Sequence, residues 1–339
     1  MKNIICFLVA FVLCSCDAPA SSPPVTKILI ASGGINHFPF AFNPTDDSTL
    51  VHYSTHADAV VSSPIDAGRL LDHPAFLAHD FYLSGVVNLG AGTLYGASYI
   101  TTAAGPKEET VHGWKSSDGG LTWNPRQGII HLPEAQLARD AGWGGLLYHR
   151  RLHFLPGGAI GGTVYGGFAR DRKPDGGEWY RTAWAVSTDQ GLNWSIQATI
   201  AEGPAGTEGY AEPVSAICPD GRILVIMRTG PQSILRWSRS SDGGHSWSAP
   251  ADIDGRFTGW DPDLLSLSGG LVLSWGVTGE AHVATSQDCG TTWSRLTDYD
   301  IATTSGYTGL AFYKHQLMLF TDRAAETEIW GYRVPGLSL

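Results

Sequence analysis

The chain has 339 residues, of which 42 are glycine and 12 are tryptophan, and only 16% are charged. This length and composition are typical of a large, turn-rich all-β domain, and no helical periodicity of useful length follows the N-terminal segment. The formal net charge of −10 at pH 7 argues against nucleic acid or an anionic membrane surface as a partner.

The N-terminal segment predicts export. Lys2 precedes an apolar run from Ile4 to Leu13, which is too short for a transmembrane helix and fits the hydrophobic part of a signal peptide. The run ends in Leu13-Cys14-Ser15-Cys16, which resembles a bacterial lipobox with Cys16 as the lipidated residue. We therefore expect the mature protein either lipid-anchored in a bacterial envelope membrane, at the periplasm or the cell surface, or secreted.

The predicted domain boundaries follow from this leader. We expect a signal peptide at 1–16, a flexible Pro/Ser-rich tether at 17–27 and one folded domain at 28–339. Apart from the lipid anchor, no membrane contact is expected.

A phrase of the form S-x-D-x-G-x-[STN]-W occurs four times, beginning at Ser116, Ser187, Ser240 and Ser286. It predicts a hairpin turn in which the Asp carboxylate accepts backbone N–H groups of its own turn and the Gly adopts a positive φ. The Trp is expected to pack over the loop with its N–H near the surface. The Asp residues are 71, 53 and 46 positions apart, and a period near 45 to 50 is typical of a four-stranded propeller blade.

The phrase also resembles the Asp box of sialidases and related propellers. This resemblance implies six blades and places the Asp residues on the outer rim, away from the active site. Blades with a box are expected at 81–123, 145–194, 211–247 and 259–293, and blades without one at 29–70 and 307–334. We therefore predict an all-β, six-bladed β-propeller with four Asp-box hairpins.

The cysteines do not predict a disulfide framework. Cys6, Cys14 and Cys16 lie in the predicted leader, which leaves Cys218 and Cys289 in the folded domain. Because these two lie in different repeats, we expect no disulfide between them. No metal-ligand spacing occurs, so neither a metal nor another cofactor is expected.

In a propeller, the innermost strand of each blade begins at the mouth of the central channel, where ligands bind. The residues expected there are rich in acids, histidines and aromatic rings, as a carbohydrate site requires. They are Asn36, His37, His79, Asp80, Trp143, Tyr210, Glu212, Trp260, Asp261, Asp263 and Tyr307. We predict a carbohydrate substrate with His37, Trp143, Tyr210, Trp260 and Asp263 as contacts, although any one of them could simply cap a strand.

The last three predicted blades resemble the catalytic segments of sialidases. Glu212-Pro213 followed by Met227-Arg228 is similar to the segment that carries the glutamate partner of the nucleophile and the second of three carboxylate-binding arginines. Gly306-Tyr307-Thr308-Gly309-Leu310 is similar to the segment that carries the tyrosine nucleophile. The resemblance implies that Tyr307 attacks the sugar with Glu212 as its base, and that Arg228 holds a substrate carboxylate.

Three positions differ from the sialidase pattern. Phe81-Tyr82-Leu83-Ser84 stands where the family has its first arginine, which leaves Tyr82 as a candidate substrate contact. Ala97-Ser98-Tyr99-Ile100 replaces the segment with the acid, and Thr278-Gly279-Glu280-Ala281-His282 replaces the third arginine.

Two missing arginines weaken the case for sialic acid. Each Arg–carboxylate contact is worth on the order of 1.5–3 kcal/mol, so affinity for a sialic acid is expected to fall roughly a hundredfold or more. His79, Asp80 and Asp261 are the candidate replacements for the acid.

Three functions remain open at this point. The first is a glycoside hydrolase of the sialidase-like superfamily that removes a terminal sugar, which could be acidic, with the Tyr307 and Glu212 pair. The second is a polysaccharide lyase acting on uronate-containing glycans. The third is a non-catalytic glycan-binding lipoprotein.

Overall fold

The computed structural model describes residues 27–33, 36–45, 48–55, 59–66, 69–70, 75–78, 83–135, 145–296, 304–323 and 327–338. Regular structure in these ranges is almost entirely β-strand, with two short 3₁₀ segments at Pro156–Gly158 and Asp254–Arg256. None of the helical segments in the described part of the chain has the length and apolar character needed to cross a membrane. The predicted leader, with Cys16, lies outside the described residues.

The strands are numbered in chain order. The first six are β1 (Lys27–Ser32), β2 (Asn36–Thr45), β3 (Ser48–Thr55), β4 (Ala59–Asp66), β5 (Arg69–Leu70) and β6 (Ala75–Ala78). They are followed by β7 (Leu83–Gly90), β8 (Thr93–Ser98), β9 (Thr102–Gly105), β10 (Glu108–Val111), β11 (Gly113–Ser116), β12 (Asn124–Pro125) and β13 (Gly128–His131). The next four are β14 (Leu147–Phe154), β15 (Ile160–Gly166), β16 (Arg181–Ser187) and β17 (Asn193–Ala201).

The remaining strands complete the chain. They are β18 (Ala211–Ile217), β19 (Ile223–Arg228), β20 (Arg236–Ser240), β21 (Ala251–Asp252), β22 (Trp260–Leu267), β23 (Gly270–Val277), β24 (Glu280–Ser286), β25 (Ser294–Leu296), β26 (Thr308–Tyr313), β27 (Gln316–Asp322) and β28 (Glu328–Ser338).

These strands form six sheets, which we number by their innermost strands β2, β7, β14, β18, β22 and β26. Consecutive innermost strands contact each other, and β26 contacts β2, so the sheets form a closed ring. This all-β, propeller-like arrangement was predicted. The predicted four-stranded blade is found in four sheets only, because the first has five strands and the third has seven. In the third sheet, β13 pairs in parallel with β17 and adds β10 and β9 to the outer edge.

One predicted boundary is wrong. The expected blade at 29–70 includes β1, but β1 pairs antiparallel with β28 at the outer edge of the sixth sheet, with Lys27 opposite Tyr332. The two ends of the described chain therefore close the ring together. The sequence of a single strand does not show which edge it joins, so this pairing could not be inferred from the pattern.

The hydrophobic core is divided among the junctions of the ring. Six clusters of buried side chains lie between successive sheets, such as Phe40 with Leu83 between the first and second, and Val283 with Leu310 between the fifth and sixth. Truncating a buried leucine of this kind to alanine typically costs about 2–5 kcal/mol. Each sheet therefore packs against both of its neighbours through apolar side chains.

The four repeated turns connect the third and fourth strands of their sheets. Asp118 accepts the backbone N–H of Thr122 at 2.9 Å and the hydroxyl of Ser116 at 2.8 Å, and equivalent bonds form at Asp189, Asp242 and Asp288. The Asp therefore accepts hydrogen bonds within its own turn, as predicted. The expected exposure of the Trp N–H is wrong at Trp194, which is 1% exposed and donates to the carbonyl of Gly191.

A disulfide joins Cys218 to Cys289, contrary to the prediction. Cys218 follows β18 in the fourth sheet, and Cys289 lies in the repeated turn of the fifth sheet. Their Cα atoms are 5.6 Å apart although 71 positions separate them in the chain. The prediction failed because residues in different repeats become direct neighbours when two sheets pack side by side.

Candidate active site

Four innermost strands begin with a β-bulge at the same end of the ring. In each bulge a residue other than glycine has a positive φ, namely Phe38 (53°), Arg150 (61°), Glu212 (40°) and Asp261 (49°). The pairing register shifts at each of these places. Bulges redirect side chains, and left-handed backbone in non-glycine residues concentrates at functional sites. The repeated strain marks this mouth of the channel as the candidate site.

A glutamate pair encloses an arginine at the mouth. Arg228, on β19, donates from Nη1 to Glu212 at 2.5 Å, and its Nε lies 2.7 Å from a carboxylate oxygen of Glu208. All three side chains are largely buried. Burial opposes the charge of Arg228, but Glu212 and Glu208 outweigh it and raise the pKa of the guanidinium. Burial raises the pKa of Glu208, since Arg228 offsets it only in part.

Tyr307 precedes β26 and reaches the same mouth. Its ring meets the ring of Phe38 edge-on, with centroids 4.4 Å apart. Burial raises the pKa of the Tyr307 phenol, and the negative charges of Glu212 and Asp261 raise it further. Tyr307 is therefore a neutral phenol at neutral pH, and it needs a base in order to act as a nucleophile.

Other tyrosines border this group. The hydroxyls of Tyr99 and Tyr165 are 2.5 Å apart, and the ring of Tyr180 meets that of Tyr165 edge-on at 5.6 Å. The imidazole of His149 lies about 6 Å from both Tyr99 and Tyr165, at 6.1 and 6.2 Å between ring centroids. Aromatic rings beside carboxylates are the groups that bind sugar faces and hydroxyls.

Asp261 does not fit the predicted role of proton donor. Its carboxylate accepts hydrogen bonds from Arg150, from His149 at 3.1 Å and from the backbone N–H of Thr308 at 2.9 Å. Burial opposes its charge, but Arg150 and His149 lower the pKa, and the residue is only 3% exposed. Asp261 instead ties β14 to β22 and β26. Its backbone N–H also donates to Glu212 at 2.8 Å, which orients that carboxylate.

Asp263 forms a second connection of this kind. It has no exposed surface, and its carboxylate receives Arg151 Nε at 2.9 Å and the N–H of Leu310 at 2.7 Å. The predicted substrate contact of Asp263 is therefore wrong, because the carboxylate is fully buried and paired with Arg151 from β14. Paired buried charges of this kind fix the relative positions of the strands that carry them.

Comparison with known proteins places the fold. The BNR repeat-like domain family matches residues 92–273, which is more than half of the chain. The chain belongs to this family. It has the fold of the sialidase-like propellers, as a divergent member. No curated protein sequence matches the chain.

Solved structures with the same fold include three that are informative. A protein of unknown function from Dyadobacter fermentans is 19% identical, with a TM-score of 0.72 over 91% of this chain and 97% of that one. A Penicillium chrysogenum alpha-L-arabinanase complexed with arabinobiose is 12% identical, with a TM-score of 0.66 over 92% and 98%. A Trypanosoma rangeli sialidase complexed with the inhibitor DANA is 12% identical, with a TM-score of 0.63 over 92% of this chain but 58% of that one.

The other predicted contacts of this BNR repeat-like protein have mixed outcomes. Tyr210 is 6% exposed and packs in the core between the third and fourth sheets, so its substrate contact stays a prediction. His37 is half-buried and stacks on Phe38 at 4.7 Å, at the mouth. Trp260 is half-buried beside Gly306. His79, Asp80, Tyr82 and Trp143 lie outside the described residues.

The sequence analysis did not predict several residues of the candidate site. They are Tyr99, His149, Arg150, Arg151, Tyr165 and Glu208. One signal was available for the arginines: the strand LYHRRLHF carries consecutive cations in a run otherwise suited to burial. Buried arginines require carboxylate partners, which would have directed attention to Asp261 and Asp263. Nothing comparable in the sequence marks Tyr165 or Glu208.

Proposed function

We propose that this protein is a glycoside hydrolase that removes a neutral sugar from the end of a glycan. The glycosidases that share its fold support the reaction class, and the alpha-L-arabinanase match supports a neutral sugar. The main observation in favour of a neutral sugar is that Arg228 lies between Glu208 and Glu212 and pairs with both. A guanidinium that already binds two carboxylates offers little to a third on a substrate.

The surrounding charges support the same substrate class. Among the described residues of the site, the other two arginines, Arg150 and Arg151, are bound to Asp261 and Asp263. A substrate carboxylate would therefore meet a region in which every described guanidinium already has a carboxylate partner. Bringing an anion there unpaired is costly, whereas a neutral sugar needs only rings and hydrogen-bond acceptors.

Tyr307 and Glu212 supply the chemistry in this proposal. Glu212 takes the phenol proton as the Tyr307 oxygen attacks the anomeric carbon, and the bond to the leaving oxygen breaks. That oxygen leaves with a proton from a general acid, for which His79 and Asp80 remain candidates. A water then attacks the anomeric carbon, gives its proton to the deprotonated acid and releases the sugar, while the phenol recovers its proton from Glu212.

One observation favours a second candidate, a non-catalytic glycan-binding protein. Tyr99 stands in the segment where the sialidase resemblance places the acid, and its hydroxyl bonds to Tyr165. A site without an acid would bind sugars and not cleave them. The lyase alternative gains no support from the matched folds.

Hydrolysis of 4-nitrophenyl glycosides, α-L-arabinofuranoside included, and of an aryl sialoside tests the proposal. We expect a neutral glycoside to be cleaved and the sialoside to be inert. Tyr307→Phe and Glu212→Gln should each lose at least ~100-fold in kcat. Tyr313→Phe is the matched control, because its buried hydroxyl has no partner among the described residues. Cleavage of the sialoside alone, or full activity of both variants, would contradict the proposal.

We also propose export with a lipid on Cys16, which the lipobox-like sequence supports. Labelling of the full chain with radioactive palmitate, and its loss in a Cys16→Ser variant, is the expected result. Equal labelling of both would refute the assignment.

A further inference from the structure

The segment that carries Tyr307 is held by a buried carboxylate. Asp322, the last residue of β27, has no exposed surface. Its Oδ2 accepts the hydroxyl of Ser305 at 2.6 Å, and its Oδ1 accepts the hydroxyl of Thr304 at 3.0 Å and the backbone N–H of Ser305 at 3.3 Å. These bonds restrain the two residues that lie three and two positions before Tyr307.

Other contacts restrain the same segment. The hydroxyl of Thr321 donates to the carbonyl of Tyr307 at 2.9 Å, and the backbone N–H of Thr308 donates to Asp261 at 2.9 Å. Gly306 has a φ of 116°, and a Cβ placed there would lie 2.3 Å from the indole nitrogen of Trp260. The ring of Trp260 therefore packs directly on the backbone beside Tyr307, which only glycine permits.

Burying the Asp322 carboxylate is energetically unfavourable. Its hydrogen-bond partners in the described part of the chain are all neutral, and a buried carboxylate without a cation is costly. Burial raises the pKa of Asp322 to about 6, and the negative charge of Asp261 adds to this effect. A neutral side chain would cost less if stability were its only purpose.

We propose that Asp322 is a positioning residue, which holds the Tyr307 backbone so that the phenol stays beside Glu212. The inference rests on the proposed function, because it assigns Tyr307 to the reaction. The ionised carboxylate is suited to this task because it accepts all three donors at once. An amide of the same size must turn an NH₂ group toward at least one of them.

Steady-state kinetics of the full chain on the neutral glycoside that it cleaves tests the inference. Asp322→Asn is expected to lower kcat by about 10- to 100-fold, because small displacements of a reacting group have effects of this size. KM should stay within about twofold, since Asp322 has no surface exposed to a ligand. Ser305→Ala is expected to lower kcat in the same direction, and the double variant should be no slower than Asp322→Asn, because both act through one contact.

Glu109→Gln is the matched control. Glu109 is also a buried acid whose pKa is raised by burial, and it accepts a neutral hydroxyl, that of Thr101, at 3.2 Å. We expect this variant to change thermal stability and to leave kcat unaltered. A purely structural role for Asp322 would make the two variants behave alike.

The outcomes separate the two proposals. Unchanged kcat in Asp322→Asn, or a loss equal to that of Glu109→Gln, overturns the inference. If Asp322→Asn does not fold, Ser305→Ala decides, because Ser305 is partly exposed, and unchanged kcat in that variant overturns the inference. Full activity of Tyr307→Phe contradicts the proposed function itself, whereas an inactive Tyr307→Phe beside a fully active Asp322→Asn refutes only the positioning role.

Discussion

Replacing Glu208 by glutamine should give the site an affinity for acidic sugars. Arg228 now shares its guanidinium between Glu208 and Glu212. Removing the charge of Glu208 leaves Arg228 with one carboxylate partner and makes its Nε and Nη2 positions available to a ligand. We therefore expect Glu208→Gln to bind a carboxylated sugar that the wild-type protein binds weakly.

The magnitude follows from the burial of the group. Arg228 is 17% exposed and Glu208 is 20% exposed, so a new ion pair would form in a partly desolvated place. A hydrogen bond to a charged group contributes about 1.5–3 kcal/mol, which corresponds to roughly a 10- to 150-fold lower Kd. Because burial raises the pKa of Glu208, its protonation at lower pH should act in the same direction in the wild-type protein.

Isothermal titration with N-acetylneuraminic acid and with its methyl ester measures this effect without turnover. The ratio of the two Kd values should change in Glu208→Gln, since only the acid uses the released guanidinium. Glu202→Gln is the matched control, because Glu202 is half-exposed and pairs with Arg181 at 3.2 Å. An unchanged ratio in Glu208→Gln, or the same change in Glu202→Gln, would refute the reasoning.

Three further predictions concern stability. Cys218→Ser with Cys289→Ser should lower the free energy of unfolding by roughly 4 kcal/mol in urea titrations, because the bridge closes a loop of 71 residues; no change in the midpoint would contradict this. Arg151→Met should cost about 3–5 kcal/mol by calorimetry, and adding Asp263→Leu should restore most of it, since the single change leaves a buried charge unpaired. The pKa of Asp322 in the folded protein is about 6, above its usual 3.8, so protonation of Asp322 stabilises the fold. The Tm of the wild type should therefore fall as the pH is raised from about 4 to about 6, and Asp322→Asn should lack this part of the pH dependence.

Most of the fold was predictable because its repeating unit has a local signal. Each repeated turn depends on a Ser, an Asp and a Gly within a few residues, so the sequence alone locates the third and fourth strands of four sheets. The sixth sheet was predicted at 307–334 without a repeated turn, but its fourth strand, β1, was not predicted. β1 joins that sheet from the other end of the chain, and no local chemistry records such a pairing.

Residues of the candidate site could be predicted only where they lie at the start of an innermost strand. Glu212 and Tyr307 both lie at the starts of innermost strands, and in the structure the charge of Glu212 acts on the phenol of Tyr307. The sequence indicated that the arginines of β14 need buried carboxylates, but it did not show that Arg150 would pair with Asp261 and Arg151 with Asp263. Their partners Arg150 and Arg151 lie more than 100 positions away, and bulges determine which side chains reach across the channel.

The three arginines at the candidate site all pair with carboxylates of the protein itself. The sialidase resemblance predicted that arginines would face the substrate, and Arg228 is the one retained. In this structure Arg150 and Arg151 approach from β14 and end on Asp261 and Asp263, while Arg228 ends on two glutamates. Arg150 and Arg151 therefore connect strands through these carboxylates, and Arg228 orients Glu212. We infer that this internal pairing disfavours an acidic sugar in the proposed hydrolase.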